Sequence, residues 1–189
     1  DRMQPLPETE FTIACDTVLL SVGLIPENEL SRALGVELHP KTGGPVVDQY
    51  RETSRPGVFA AGNVVHVHDL VDFVSEEAEI AGKYAALAAQ GERHKERRFV
   101  RVLPGSGINT CVPQRLCLIE EEPPIRLLLR AARPMRQATL TVSGAEGVLF
   151  TKRLAVVKPS EMIAADMNGV RLGDLTEDVT VSIEEGTRG

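Results

Sequence analysis

The sequence predicts an α/β unit followed by a small all-β domain that is a sandwich or an open barrel. Two observations support this division. In residues 9–91, apolar runs that suit strands alternate with segments of helical periodicity. Beyond residue 99, the regular pattern is a two-residue alternation interrupted by Pro and Gly turns. The polar stretch 92–98 is interpreted as a linker, which gives domains at 1–91 and 99–189.

The composition is that of a globular protein. The 189 residues are 42% hydrophobic and 25% charged, which argues against a disordered or fibrous chain. No apolar run approaches the roughly 18 residues of a membrane span, so none is predicted. The net charge of −6 and the absence of Trp disfavour nucleic acid as a partner.

The cysteines indicate a reducing compartment. Cys15, Cys111 and Cys117 are odd in number and form no CxxC pair. This pattern argues against a disulfide framework and against a complete thiolate zinc site. The predicted location is the cytoplasm, and Cys111 and Cys117 are expected to be buried, unreactive thiols.

The first unit is predicted to contain three strands, a short helix and a hairpin. The strands are assigned to residues 11–14, 17–22 and 57–61, the helix to 29–34, and the hairpin to 36–38 and 45–47 around a turn at 41–44. The second strand is almost continuously apolar, as in a sheet covered on both faces. Asn28 is a candidate N-cap of the short helix, and Gly35 follows its end.

A longer helix is predicted over residues 71–90. Its small residues recur at spacings of three and four, at Val74, Ala78, Ala81, Ala85 and Ala88. Asp69 or Asp72 is expected to cap its start, and Gly91 ends it. The small inner face allows the backbone to lie close to a sheet or to a flat ligand.

The β unit shows clear alternation in three strands, at residues 125–131, 138–143 and 179–184. In the first of them, Ile125, Leu127 and Leu129 share one face and Arg126 and Arg130 the other. One face of each strand is expected to be in water. Turns at 132–135 and 144–147 favour an antiparallel arrangement.

The motif that indicates function joins two segments. The first is Thr-Ser-Arg-Pro-Gly-Val-Phe-Ala-Ala-Gly-Asn at 53–63, and the second is Cys-Asp-Thr-Val-Leu-Leu-Ser-Val-Gly-Leu-Ile-Pro-Glu-Asn at 15–28. Together they resemble the signature segments of the pyridine nucleotide-disulfide oxidoreductases, which are flavoproteins with two dinucleotide-binding folds. The resemblance extends through Ala89. It implies that the first unit is part of an FAD/NAD(P)-binding domain.

The same resemblance implies a set of cofactor-binding residues: Ala61, Gly62 and Asn63 near the FAD phosphate and ribityl groups, and Val74, Ser75 and Glu76 near the flavin ring. A strand that ends in small residues lets backbone amides approach a cofactor. The family carries Asp where this chain has Asn63, whose amide oxygen still accepts a hydrogen bond. The implied cofactors are FAD and NAD(P)H, and no catalytic residue is assigned.

The chain contains no GxGxxG fingerprint. The segment 105–110 lacks the third glycine and leads into Pro113 rather than a helix. The resemblance therefore implies that the first dinucleotide-binding unit precedes Asp1. The chain is accordingly interpreted as the C-terminal part of an FAD-dependent NAD(P)H oxidoreductase, and the isolated fragment is expected to be inactive.

Two alternatives stay open. His66, His68 and Asp69 are possible zinc or iron ligands, although polar lining of the loop is the favoured interpretation and no metal site is predicted. The β unit resembles the short C-terminal domain of flavoproteins related to the anaerobic glycerol-3-phosphate dehydrogenase system, through residues 112–114, 125–131 and 159–162. It is expected to form a homo-oligomer or to dock a partner redox subunit. The alternative function is a non-catalytic protein-interaction module.

Overall fold

The computed structural model describes residues 6–21, 23–91, 97–118 and 125–186. The helices are α1 (Glu29–Ala33) and α2 (Val71–Ala89), with single helical turns at Pro7–Thr9, Gly62–Val64 and Leu172–Asp174. The strands are β1 (Arg98–Pro104), β2 (Ile108–Val112), β3 (Arg115–Leu118), β4 (Ile125–Ala131), β5 (Met135–Gly144), β6 (Gly147–Val157), β7 (Ile163–Met167) and β8 (Val179–Glu185). Within these described ranges, no helix combines the length and the apolar character that crossing a membrane requires.

The strands form two sheets around one apolar core. The larger sheet has the order β3-β1-β8-β5-β6, and the smaller has the order β2-β4-β7. Pairing is antiparallel except between β1 and β8. Leu127 and Leu129 of the small sheet and Leu140 and Ile183 of the large one belong to the same core. The prediction of a β-rich second unit is confirmed.

The strand β4 is covered on both sides, contrary to the expectation of one face in water. Ile125, Leu127 and Leu129 are buried as predicted, and Leu128 on the opposite face is buried too. Arg126 and Arg130, which share that face with Leu128, contact the first unit. The predicted alternation is confirmed, but the partners of the two arginines, Glu76 and Asp69, lie 50 and 61 positions away, which periodicity does not reveal.

The predicted strands 11–14 and 17–22 are wrong for the described residues. Residues 10–21 form no strand, and Leu19 and Leu20 are 90% and 81% exposed. A buried parallel strand needs neighbours on both edges to satisfy its backbone, and the described chain pairs no strand with this segment. Residues 57–61 form an extended segment with a single bridge, between Phe59 and Glu52, rather than a full buried strand.

The helix predictions are confirmed, while the predicted cap is wrong. Both α1 and α2 lie within one residue of the expected ranges, and the turn at 41–44 is closed by a bridge between Leu38 and Pro45. The residue before α2 is Leu70, which provides no side-chain cap. Asp69 fails to cap the helix because both of its carboxylate oxygens bind the β unit.

Buried hydrogen bonds join the first unit to the β unit. The side chain of Gln49 accepts from the N–H of Cys117 and donates to its carbonyl oxygen, both at 2.8 Å. The side-chain oxygen of Gln114 accepts from the N–H of Val47 at 2.9 Å. Arg98, assigned to the linker, begins β1, and residues 92–96 of the predicted linker lie outside the described ranges. The boundaries of the two domains therefore stay a prediction.

Candidate functional site

Gly62 forms a tight turn directly against α2. Its φ of +72° lies in the left-handed region, which favours glycine. The residue is buried, and a Cβ at this position would lie 3.0 Å from the Cγ1 of Val74. Two of the expected cofactor residues, Gly62 and Val74, are thus in contact. Half-buried Ala61 precedes the turn in extended conformation.

The polar groups of this turn are engaged with the same chain. The N–H of Gly62 donates to Glu77 Oε2 at 2.9 Å, so the amide expected to face a cofactor is taken by a carboxylate. Asn63 Oδ1 accepts from the N–H of His68 at 3.0 Å. The first bond ties the turn to α2, and the second closes the loop 63–68.

The remaining expected site residues lie on the first turns of α2. The hydroxyl of Ser75 is exposed and donates to the carbonyl of Val71 at 3.2 Å, within the helix. Glu76 is half-buried and pairs with Arg126 of β4 at 3.1 Å. The structure therefore links Ser75 to its own helix and Glu76 to the β unit.

The start of α2 is open. The first N–H groups of a helix have no intrahelical acceptor and give its end a partial positive charge. Within the described part of the chain no side chain caps them at Leu70, and Leu70 and Val71 are 54% and 74% exposed. Polar donors and apolar side chains thus lie side by side next to the Gly62 turn, a combination that suits a ligand with a flat ring and anionic groups.

A buried charged cluster lies behind the turn and consists of Glu77, Arg51, His66 and His68. Glu77 Oε1 is 3.0 Å from Arg51 Nε and 3.6 Å from His66 Nε2, while Glu77 Oε2 is 2.9 Å from His68 Nε2. Arg51 adopts a φ of +65°, a value that is uncommon for residues other than glycine, asparagine and aspartate. The backbone at Arg51 is therefore held in an unfavourable conformation by its surroundings.

Electrostatics keep Glu77 ionised. Burial raises the pKa of this carboxyl, but the close His66 and His68 rings and the charge of Arg51 outweigh burial and hold the pKa well below its ordinary value. Burial lowers the pKa of His66, against the opposing influence of Glu77. The favoured state is an ion pair between Glu77 and Arg51 beside a neutral His66.

The donor atoms of His66, His68 and Glu77 lie within 4.8 Å of one another, as metal ligands would. Asp69, the third ligand of the sequence-based alternative, is directed to the β unit instead. Glu77 already accepts from Gly62 and is paired with Arg51. A divalent ion here would add positive charge beside a buried guanidinium, which is strongly unfavourable. We therefore interpret the group as a buried ion-pair network.

Sequence reasoning missed Arg51 and Glu77. The signal for Glu77 was available, because it lies three residues after Val74 and four before Ala81, on the apolar stripe of the helix. A carboxylate on a buried face requires a positive partner. That partner, Arg51, is 26 residues away, in a loop without recognisable periodicity.

A second buried carboxylate, that of Glu52, connects the loop before the Gly62 turn to Arg97, next to the start of β1. Glu52 Oε1 accepts from the N–H of Gly57 at 2.6 Å, and its other oxygen pairs with Arg97. Arg115 of β3 donates to the carbonyl of Thr53 at 2.7 Å. Arg97, which belongs to the polar stretch predicted as a linker, thus supports the loop that carries Arg51.

Comparisons with known proteins find similarity over residues 3–88. The family described as pyridine nucleotide-disulphide oxidoreductase matches this range. An opine oxidase subunit of Agrobacterium tumefaciens (strain Ach5) is 34% identical over 84 residues, covering 42% of this chain and 16% of that protein. The nitric oxide reductase FlRd-NAD(+) reductase of Enterobacter sp. (strain 638) is 31% identical over 75 residues, covering 40% and 19%.

The chain spans less than a fifth of the length of each of these two relatives. No solved structure matches it significantly. The family match covers the Gly62 turn, the buried cluster and nearly all of α2. Residues 3–88 are therefore similar to part of a pyridine nucleotide-disulphide oxidoreductase domain.

Proposed function

We propose that the protein containing this chain is an FAD-dependent NAD(P)H oxidoreductase and that residues 61–76 contribute to its flavin site. The observation that carries the proposal is the Gly62 turn beside the open start of α2, within the range that matches the oxidoreductase family. The names of the two relatives, one an NAD(+) reductase and the other part of an oxidase, support the same class of chemistry.

The cofactor contacts are assigned to Ala61, Gly62 and Asn63 at the turn and to Val74, Ser75 and Glu76 on α2. Since Glu77 accepts the N–H of Gly62, we assign the role of phosphate donor to the next amide, that of Asn63. In this role Gly62 supplies the bend and the close packing against Val74. Flavin, when bound, supplies hydride transfer to and from the nicotinamide.

The start of α2 is proposed to face the flavin ring. Its unpaired N–H groups would favour negative charge near the pyrimidine edge of the ring, and the exposed Leu70 and Val71 would exclude water from it. Glu77 holds the turn in place by accepting from Gly62. The chain thus orients and tunes the cofactor, and we assign no proton donor to it.

Partners and location are proposals as well. One relative is a subunit by name, so a partner redox subunit or a homo-oligomer is the expected assembly. The net charge of −6 makes a nucleic-acid partner unfavourable. We propose a cytoplasmic location, because the three cysteines are unpaired.

The test uses the full-length protein that contains this chain. The proposal predicts absorbance near 450 nm, roughly where oxidised flavin absorbs, and anaerobic bleaching by NADH or NADPH. Asn63→Leu is expected to weaken FAD binding about tenfold, because the turn loses the side-chain oxygen that accepts from the His68 N–H and holds the Asn63 amide in place. Asn63→Asp keeps the acceptor for the His68 N–H and should retain the flavin.

Asn109→Leu is the matched control, since Asn109 is exposed on β2. It should bind FAD as the wild type does. A colourless wild-type protein that neither retains added FAD nor oxidises NAD(P)H would overturn the proposal.

A further inference from the structure

Arg130 of β4 forms the centre of the contact between the β unit and the proposed flavin site. Its Nη2 lies 2.8 Å from Asp69 Oδ1 and 3.2 Å from the carbonyl oxygen of Val67. Its Nη1 donates to the carbonyl of Ser160 at 2.5 Å. The guanidinium therefore bridges the loop before α2 to the loop after β6, and only 18% of its side chain is exposed.

Asp69 completes this bridge. While one carboxylate oxygen binds Arg130, the other accepts from the backbone N–H of Met162 at 3.0 Å. Both oxygens are thus occupied by the β unit, which leaves the start of α2 without a side-chain cap. The loop is fixed by charge-assisted hydrogen bonds, which are the stronger kind.

Arg126 makes a parallel contact four residues earlier on the same face of β4. Its Nη2 is 3.1 Å from Glu76 Oε2, and its guanidinium carbon is 5.8 Å from the centre of the Phe73 ring. Phe73 and Glu76 lie on the first turns of α2. Arg130 thus binds the loop before α2, and Arg126 binds the first turns of α2.

The strand that carries both arginines is a rigid support. β4 is the middle strand of its sheet, paired with β2 on one side and β7 on the other. Leu127, Leu128 and Leu129, which separate the two arginines, are all buried. Side chains anchored on such an element hold their partners more precisely than loop residues do.

We propose that Arg130 and Arg126 are positioning residues of the flavin site, so that the β unit acts as an internal clamp on residues 67–76. This inference rests on the proposed function for its ligand, FAD, while the clamp itself is a property of the protein alone. It gives the β unit a role within the chain, in addition to any contact with a partner.

The first experiment measures the clamp without cofactor. Hydrogen exchange of the flavin-free full-length protein is compared between wild type, Arg130→Gln and Arg101→Gln. Arg101 is an exposed arginine of β1 that pairs with Asp178, away from α2. We expect amides of residues 65–75 to exchange about tenfold faster in Arg130→Gln, roughly the effect of one charge-assisted bond, and as in wild type in the control. Equal protection in all three proteins would overturn the clamp.

The second experiment measures the effect on the cofactor. In Arg130→Gln the Kd of FAD should rise about tenfold, and the midpoint potential of the bound flavin should shift from the wild-type value, because the helix start is no longer held. Arg130→Lys keeps the positive charge but lacks the second nitrogen of the guanidinium fork. It should therefore restore the FAD affinity and the midpoint potential in part. A Kd and a potential unchanged from those of Arg101→Gln would contradict the positioning role.

Arg126→Gln provides an independent variant should Arg130→Gln fail to fold. It should accelerate exchange in residues 71–77 and alter the flavin potential, and unchanged values would again refute the inference. The two proposals fail separately. A wild-type protein that binds no FAD contradicts the proposed function, whereas unchanged exchange in both arginine variants contradicts the clamp.

Discussion

Glu77 has the densest set of polar contacts around the Gly62 turn. It pairs with Arg51 and His68 and accepts from the N–H of Gly62, and only 1% of its side chain is exposed. Glu77→Gln preserves the volume of the side chain but leaves the buried Arg51 without a counter-charge. We expect the free energy of unfolding to fall by about 3 kcal/mol, in the range for breaking a buried ion pair on one side.

Urea denaturation at pH 7 measures this change. The control is Glu79→Gln, an exposed carboxylate two residues further along α2, which should change stability by less than about 0.5 kcal/mol. Equal stability of the two variants would show that the cluster does not hold the turn.

His66 and Glu77 give the stability a predictable dependence on pH. The pKa of His66 is lowered from 6.5 in the folded protein, so the unfolded chain binds the proton more readily. The free energy of unfolding should therefore fall as the pH drops below 6.5, by at most about 1.4 kcal/mol per pH unit. Glu77, whose pKa is lowered from 4.5, adds a further loss below pH 4.5.

Denaturation curves between pH 4 and 8 test this expectation. His66→Gln should flatten the part of the profile between pH 5 and 6.5. The pKa of His39 is lowered too, chiefly by burial, so His39→Gln measures its separate contribution of the same sign. A wild-type stability that rises on acidification would contradict the burial of His66 as a neutral ring.

Among the elements, the helix α2 and the turn at 41–44 each contain a glycine whose replacement by alanine has a predictable effect on stability. Gly82 is exposed within the helix, and a Cβ there would meet no atom within 4 Å. Gly82→Ala should therefore stabilise the protein by roughly 0.5–1 kcal/mol through helix propensity. Gly44→Ala should destabilise it, because its Cβ would overlap the carbonyl oxygen of Val65.

Thermal unfolding of the two variants provides the measurement. Gly82→Ala measures the higher helix propensity of alanine, whereas Gly44→Ala measures the lack of space for a Cβ in the turn. A melting temperature that does not fall in Gly44→Ala would show that the packing of Val65 on Gly44 is not as described, and one that falls in Gly82→Ala would contradict the open space at Gly82.

The sequence predicted those elements whose pattern is local. The periodicity of α2 and the alternation in β4 depend on neighbouring residues, and both elements lie where expected. The apolar segment at 17–22 has an equally strong pattern, yet its described residues form no strand. An apolar run indicates which residues favour burial, whereas a strand also needs a partner for its backbone, and that partner is not encoded in the run itself.

At the scale of the whole molecule, the candidate site depends on contacts over long distances in sequence. Gly62 and Asn63 were identified from their motif, but the partners that hold them could not be. Arg130 reaches Asp69 across 61 positions, and Arg51 reaches Glu77 across 26. Each partner is one of many charged residues in the sequence, and the sequence pattern does not show which of them is brought close to the site by the fold.

The two units are joined directly by hydrogen bonds. Gln49, Gln114 and Arg115 form buried or half-buried hydrogen bonds across the boundary between them. The region proposed to bind flavin is thus shaped by residues from both the family-matching part and the β unit. This explains why a motif alone defines the site only in part.

The most direct test of the flavin site is an FAD titration of the full-length protein and two glycine variants. Gly62 and Gly57 both have positive φ, +72° and +81°, so valine strains the backbone at either position, but only Gly62 belongs to the proposed site. We expect Gly57→Val to bind one FAD per chain with near wild-type affinity, whereas Gly62→Val should lose binding at least about tenfold. Wild-type FAD affinity in Gly62→Val would contradict the assignment of this turn to the cofactor.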